Sequence, residues 1–394
     1  MSKREVVVVG AVRTGVGDFG GSLKDVAPCD LAALVIRESL ARAKVDSASV
    51  GHVFMGHVIN TEPRDMYLSR VGALGAGLPK EVAAANVNRL CGSGLQAIVS
   101  AAQAILLGDT DVAIGGGAES MSRAPYVLPS NRWGARMGDS KVVDMLVGAL
   151  SDPFDAVHMG ITAENVASRY GIDREAQDAL ALQSHQRAAR AWREGRFASQ
   201  IVPVGVTAKR KTVQFAADEH VREDVTMESL AGLRAVFQKD GSVTAGNASG
   251  INDGAAAVVL MEAAEAARQG VTALARLVSY GHAGVEPLYM GIGPVPATRA
   301  ALKKAGLRIG EIDLVEANEA FAAQACAVAK ELDLDPEKVN PNGSGISIGH
   351  PVGATGALIT TKAIHELQRT GGRRALVTMC IGGGQGIAAV FERV

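Results

Sequence analysis

The sequence predicts a doubled α/β fold: two pseudo-twofold-related βαβαβ halves with a long inserted segment between them. Three observations carry that expectation. Glycine is abundant and aromatics are scarce (46 glycines, 4% aromatic), which suits tight strand-to-helix turns better than an all-β sandwich. Two segments close on one phrase, GDTDVAIGGGAE from Gly108 and GRRALVTMCIGGGQG from Gly372, each a β-branched strand leading to IGGG after an apolar helical pattern. The two halves also begin alike, with a strand, a Gly-rich loop and a helix.

Taken in order, EVVVVGAVR from Glu5 reads as a buried strand, and helical spacing begins near Asp30 in DLAALVIRESLARAKV. AANVNRL reads as a second strand and GLQAIVSAAQAILL as an apolar helix that ends at Gly108. The rhythm breaks between about Met121 and Ser249. There a Pro-, Arg- and Trp-containing stretch precedes a helical run, for which Asp173 with Gln177 marks a start and Gly195 a stop. From residue 273 the pattern resumes with ALARLVSYGHAGVEP, PATRAALKKAGL, DLVEA and GALITTKAIHELQRTGG. The domains expected are residues 1–120 with 250–272, an inserted loop domain at 121–249, and 273–394. Long insertions on a regular scaffold often carry substrate or oligomer contacts.

Composition excludes several roles. The net charge is −1 with no long run of either sign, so neither nucleic acid nor a membrane surface has electrostatic support as a partner. MSKREVVVVGAVR lacks a secretory h-region and cleavage site, and no apolar stretch reads as uninterrupted enough to cross a bilayer. Cys29, Cys91, Cys326 and Cys380 show neither disulfide-framework nor metal-ligand spacing. The compartment expected is therefore the cytoplasm, and no metal is expected.

Three places join polar chemistry to a Gly-rich turn. Cys91 lies where a strand meets a helix, whose free N–H groups and positive end favour a thiolate. Gly92 and Gly94 leave room beside it, either for a substrate carbonyl or only for close helix–sheet packing with Cys91 as filler. His350 is held between Gly349 and Pro351 before another apolar helix, a setting for a positioned general base. Cys380 closes a buried strand, and ligands gather at strand ends in α/β sheets. Gly15-Val16-Gly17-Asp18-Phe19-Gly20 matches GxGxxG, but Pro28 intervenes and no helix opens at those glycines, so a dinucleotide site is disfavoured.

NRLCGSGLQAI, EANEAFAAQA, NPNGSGISIGHPVGATG and TMCIGGGQGIA, in this order over essentially the whole chain, resemble the thiolases. The likeness is to bacterial acetyl-CoA acetyltransferases and broad-range β-ketothiolases, including those feeding polyhydroxyalkanoate synthesis. The resemblance implies a five-layer α-β-α-β-α fold and a homotetramer (a dimer of dimers) that makes contact through Met121 to Arg136. It implies Cys91 as the acylated nucleophile, His350 as its base and Cys380 as the second acid/base. Asn318 would hold a water that forms one oxyanion hole with His350, and the N–H groups of Cys91 and Gly382 would form the other. His158 and Met159 would line the pantetheine tunnel, Ser249 would touch pantetheine, and Arg222 would reach the nucleotide end of coenzyme A. Leu150, Ala245, Ala320 and Phe321 match wall positions, and Met290 borders the acyl pocket.

The reaction implied is a reversible, ping-pong Claisen condensation of two acyl-CoA molecules through an acyl-cysteine. Its substrates would be acetyl-CoA, acyl-CoA and CoA, without a separate cofactor. Alternatives are a degradative 3-ketoacyl-CoA thiolase, a decarboxylating ketoacyl synthase, which would carry His or Asn at Cys380, and a non-catalytic acyl-CoA-binding relative. The RTGVGDFGG loop departs from the family, which usually has Pro after RT. Cys29, Cys326, His52, His57, His185, His220, His282 and His365 are expected to have no catalytic role.

Overall fold

Strand by strand, the two halves repeat one topology. In the first, Val6–Thr14 runs antiparallel to Asn252–Glu262, itself antiparallel to Val112–Ser120, and His52–Gly56 and Ala83–Val87 then follow in parallel. In the second, Ala275–Gly284, Gln385–Arg393, Arg374–Ile381 and Leu314–Ala317 take the same senses in the same order. A parallel bridge from Val339 to Val315 stands where the fifth strand would be. A short antiparallel ladder, Val7 with Arg276 and Val8 with Ala275, joins the two halves into one sheet. The computed structural model describes residues 4–208 and 210–394; the charged lead-in Met1–Lys3 lies outside them.

Helices pack on the outer face of each half and between the two halves. Pro28–Ala43 and Leu68–Gly75 pack Leu31, Val35, Ile36 and Leu68 on the first half's strands. Pro294–Ala305 and Ala322–Leu332 cover the second half with Val295, Leu302 and Val328. Between the two halves run Ser93–Leu107 and Thr355–Thr370, whose Leu95, Ile98, Leu358 and Ile359 share one core with strands of both. Pro28 opens its helix rather than delaying it, because the first helical N–H needs no partner. Leu90–Leu107, against expectation, is long and apolar enough to span a membrane, but Leu95, Ile98, Val99 and Ile105 of this stretch are buried in the core between the halves.

The central helices touch backbone to backbone. A Cβ on Gly94 would lie 2.7 Å from the Ala357 nitrogen, and one on Gly356 would collide with the Leu95 backbone. This contact lies at both N-termini and brings together the turns that precede them. It also settles what the glycines beside Cys91 do. Gly94 admits Ala357 and Gly92 admits Ile381, so both serve packing rather than leaving space at the sulfur.

The repeated IGGG phrase is not in structural register. Gly115–Gly117 lie inside the strand Val112–Ser120, where side chains would strike Ile98, Ala256 and the Gly353 carbonyl. Gly382–Gly384 instead follow Arg374–Ile381 as a turn, with φ of 79° at Gly383 and 82° at Gly384. Close approach demands glycine in one half, and positive φ demands it in the other.

The insertion is anchored by a buried ion pair. Arg13 donates to Asp218 at 2.7 and 3.0 Å and to Gln200 at 2.7 Å, and Asp218 also accepts from the Val16 N–H and the Trp192 indole. Gly15, the departure from the family pattern, passes so close to Ala217 that any Cβ there would clash with its backbone. Arg13→Met would leave the Asp218 carboxylate buried without a countercharge. The expected loss is about 3–5 kcal/mol, read as a lower denaturation midpoint; an unchanged midpoint would show that the anchor is idle.

Candidate active site

The first functional turn is built under strain. Ala83–Val87 ends, and within a few residues the chain must start the helix Ser93–Leu107. Leu90 takes a left-handed conformation, φ 44°, at a cost on the order of 1–3 kcal/mol for a residue with a Cβ. Ser93 Oγ accepts from the Arg89 N–H at 2.8 Å and donates to the Leu90 carbonyl at 2.6 Å, and Asn88 Oδ1 accepts from the Leu90 N–H at 3.0 Å. Cys91 is thereby presented just ahead of the helix, half-buried beside Val352 and Leu150. Contrary to the expectation of a thiolate, burial pushes its thiol up to about 11. The N–H groups of Gly382 and of Cys91 itself pull the other way without prevailing, and the Glu119 carboxylate opposes the thiolate further.

His350 stands in the turn before the second central helix. Its backbone N–H donates to Asn252 Oδ1 at 2.8 Å. The Thr355 hydroxyl donates to the Pro351 carbonyl at 2.9 Å, so it accepts from His350 Nδ1–H at 2.6 Å. That fixes the tautomer with its lone pair on Nε2, which accepts from Asn318 Nδ2–H at 3.4 Å. Burial lowers the imidazole to about 4. The ring is therefore neutral at physiological pH and able to take a proton.

Asn318 follows the strand Leu314–Ala317 and is fully buried; its N–H donates at 3.0 Å to the carbonyl of Thr378, in the strand Arg374–Ile381 that carries Cys380. Its Oδ1 is buried without a partner. Cys380 is fully buried, and burial raises its thiol well above the ordinary range; a negative charge on Cys91 raises it further. Ile381 packs against Gly92, and the Gly382 N–H points to the Cys91 sulfur. Two thiols, an imidazole and a carboxamide thus meet where the two halves join.

The other expected residues divide. Met159, Met290, Ala320 and Phe321 share one apolar cluster with Cys380, and Met159 reaches Gly382. His158 caps the helix Met159–Tyr170 by accepting from the Gly160 N–H at 3.1 Å, and its ring stacks on Phe237 at 4.7 Å. The Ser249 N–H donates to the Ala320 carbonyl at 3.0 Å. Arg222 and Ala245 are exposed, outside these clusters, and the Arg222 N–H donates to His185. Sequence reasoning missed Thr355, Asn252, Phe237 and Glu119. The Asn252 neighbourhood carried a faint signal, since SGIND is a polar phrase that opens an apolar strand.

Comparison with known proteins agrees with this geometry. Residues 6–264 match the family described as thiolase, N-terminal domain, and residues 271–393 match thiolase, C-terminal domain. The chain is 68% identical over 392 residues to the beta-ketothiolase BktB of Cupriavidus necator, covering 99% of this chain and all of that one. It is 50% identical over 393 residues to an acetyl-CoA acetyltransferase of Escherichia coli, covering 99% of this chain and all of the relative. Among solved structures it is similar to human mitochondrial 3-ketoacyl-CoA thiolase in complex with CoA, with a TM-score of 0.96 and 46% identity over 99% of this chain and 98% of the other.

Proposed function

The chain belongs to the thiolase family, and from that premise we propose that it is an acyltransferase joining two acyl-CoA molecules into 3-ketoacyl-CoA and CoA, reversibly. One observation carries the assignment of roles: Cys91, His350, Asn318 and Cys380 converge from both halves on one buried point.

In the proposed cycle His350 Nε2 takes and keeps the Cys91 proton as the sulfur attacks the thioester carbonyl, and the first CoA leaves with the Cys380 proton, so that Cys380 is left ionised beside a protonated His350. The free enzyme holds a neutral thiol and a neutral imidazole, so the thiolate forms only as the carbonyl is engaged. The Cys91 and Gly382 N–H groups face the oxygen of the acyl-enzyme. Asn318 and His350 face the oxygen of the second thioester, where an enolate needs fixed donors. The Cys380 thiolate removes the α-proton, the resulting carbanion attacks the acyl carbon, and the Cys91 thiolate expelled takes its proton back from His350. No metal or redox group is needed in this cycle, because both substrates arrive activated as thioesters.

Met159, Met290, Ala320 and Phe321 form the apolar wall for the acyl and pantetheine portions, with His158, Leu150 and Ser249 beside them and Arg222 and Ala245 toward the nucleotide. Acetyl-CoA, acyl-CoA and CoA are thus the partners proposed, in the cytoplasm. A homotetramer is the assembly proposed. Trp133 and Met137, in and next to the expected contact segment, support it by standing 89% and 97% exposed. Incubation with acetyl-CoA alone tests the reaction: free CoA and acetoacetyl-CoA should appear in equal amounts without malonyl-CoA. Tight CoA binding with no product would point to a non-catalytic relative instead.

A further inference from the structure

We propose that Glu119 is a positioning residue for the Cys91–His350 pair, its buried carboxylate clamping the loop that carries His350 onto the half that carries Cys91. The proposal rests on the reading of those two residues given above. Glu119 is the penultimate residue of the strand Val112–Ser120 and is fully buried. It accepts from the Val58 N–H at 3.0 Å, the Ile59 N–H at 3.1 Å and the Gly353 N–H at 2.9 Å. His57 Nδ1 lies 3.3 Å from the same carboxylate and donates to the Ala118 carbonyl at 2.8 Å. Every polar neighbour thus offers a hydrogen, which an ionised carboxylate accepts and a carboxylic acid would not fully use. Burial raises the carboxyl above the ordinary glutamate range, and His57 and the three amides oppose that rise.

The contacts form a continuous path between the two chemical groups. The loop holding Val58 and Ile59 is tied to the approach to Cys91, because the His57 N–H donates to the Val87 carbonyl at 3.0 Å. On the other side, Gly353 is three residues past His350 in the turn that Thr355 closes. Its peptide sits in a notch left by missing side chains: a Cβ on Gly56 or Gly117 would strike the Gly353 carbonyl, and one on Gly353 would strike the Glu119 carboxylate. Shape and charge therefore locate the same peptide, and a displacement of about 1 Å there would misalign the base.

Glu119→Gln tests this, since the amide places an N–H against donors that now meet an acceptor. Acetylation of Cys91 by acetyl-CoA, followed by rapid quench, should slow by about a hundredfold with kcat, while KM moves by less than about twofold. Acetylation at the parent rate would overturn the proposal, as would a raised KM with kcat intact. Cys91→Ala run alongside separates the two layers. Activity surviving in Cys91→Ala would discard the reading of the site, whereas its loss, with Glu119→Gln fully active, discards only the clamp. Should Glu119→Gln not fold, amide exchange in the parent protein decides: the Gly353 N–H should exchange as slowly as those of Val112–Ser120, and loop-like exchange would overturn the clamp.

Discussion

Cys380→Ser should leave Cys91 able to accept an acetyl group while condensation falls by about 10³-fold or more. The variant changes one atom at a fully buried position, so packing is nearly unaltered. What changes is acidity, because a hydroxyl holds its proton far more tightly than a thiol. Burial has already raised the Cys380 thiol, which suits a group that must pull a proton from carbon and give it back. Labelled acetyl-CoA should therefore accumulate as acyl-enzyme in the variant, visible by intact-protein mass. Undiminished acetoacetyl-CoA formation would remove Cys380 from the mechanism.

Cys91→Ala should show no acyl-enzyme at all and lose about four to six orders of magnitude in both directions of the reaction. A companion measurement reads the resting state. With the thiol at about 11 and His350 at about 4, both partners are neutral near pH 7. The rate of Cys91 alkylation by iodoacetamide in the free enzyme should then keep rising through pH 9 and beyond, in step with the thiolate fraction. A resting imidazolium–thiolate pair would instead give a plateau reached well below neutrality, and that profile would refute the neutral pair.

Much of this architecture could be read from the chain before its coordinates, for a physical reason. Helix stops and a cysteine near the end of a strand are local features that the sequence displays directly, although the doubled phrase did not put the two cysteines at equivalent positions. The family motifs carried Cys91, His350, Asn318 and Cys380 together. What stayed hidden depends on partners distant in sequence. Glu119 becomes informative only when Gly353 is folded against it, and Thr355 only when the Pro351 carbonyl occupies its hydrogen. The acidity of Cys91 ran opposite to expectation because a helix end is a local signal whereas desolvation belongs to the whole fold. Leu90 in a left-handed conformation has no sequence mark, and the anchoring network of the turn overrides its preference.

The out-of-register glycines have a further consequence. Both central helices stop at a left-handed glycine, Gly108 and Gly371. Counting forward equally from each, Cys380 corresponds to Gly117; counting backward equally, Cys91 corresponds to Ala354. Those counterparts touch, since a Cβ on Gly117 would lie 2.8 Å from the Ala354 Cα. At the positions related to the two reacting sulfurs, the doubled chain thus carries a glycine and an alanine packed against each other. Burst titration should accordingly count a single acyl group per polypeptide, with asymmetry rather than symmetry as the working condition of the molecule.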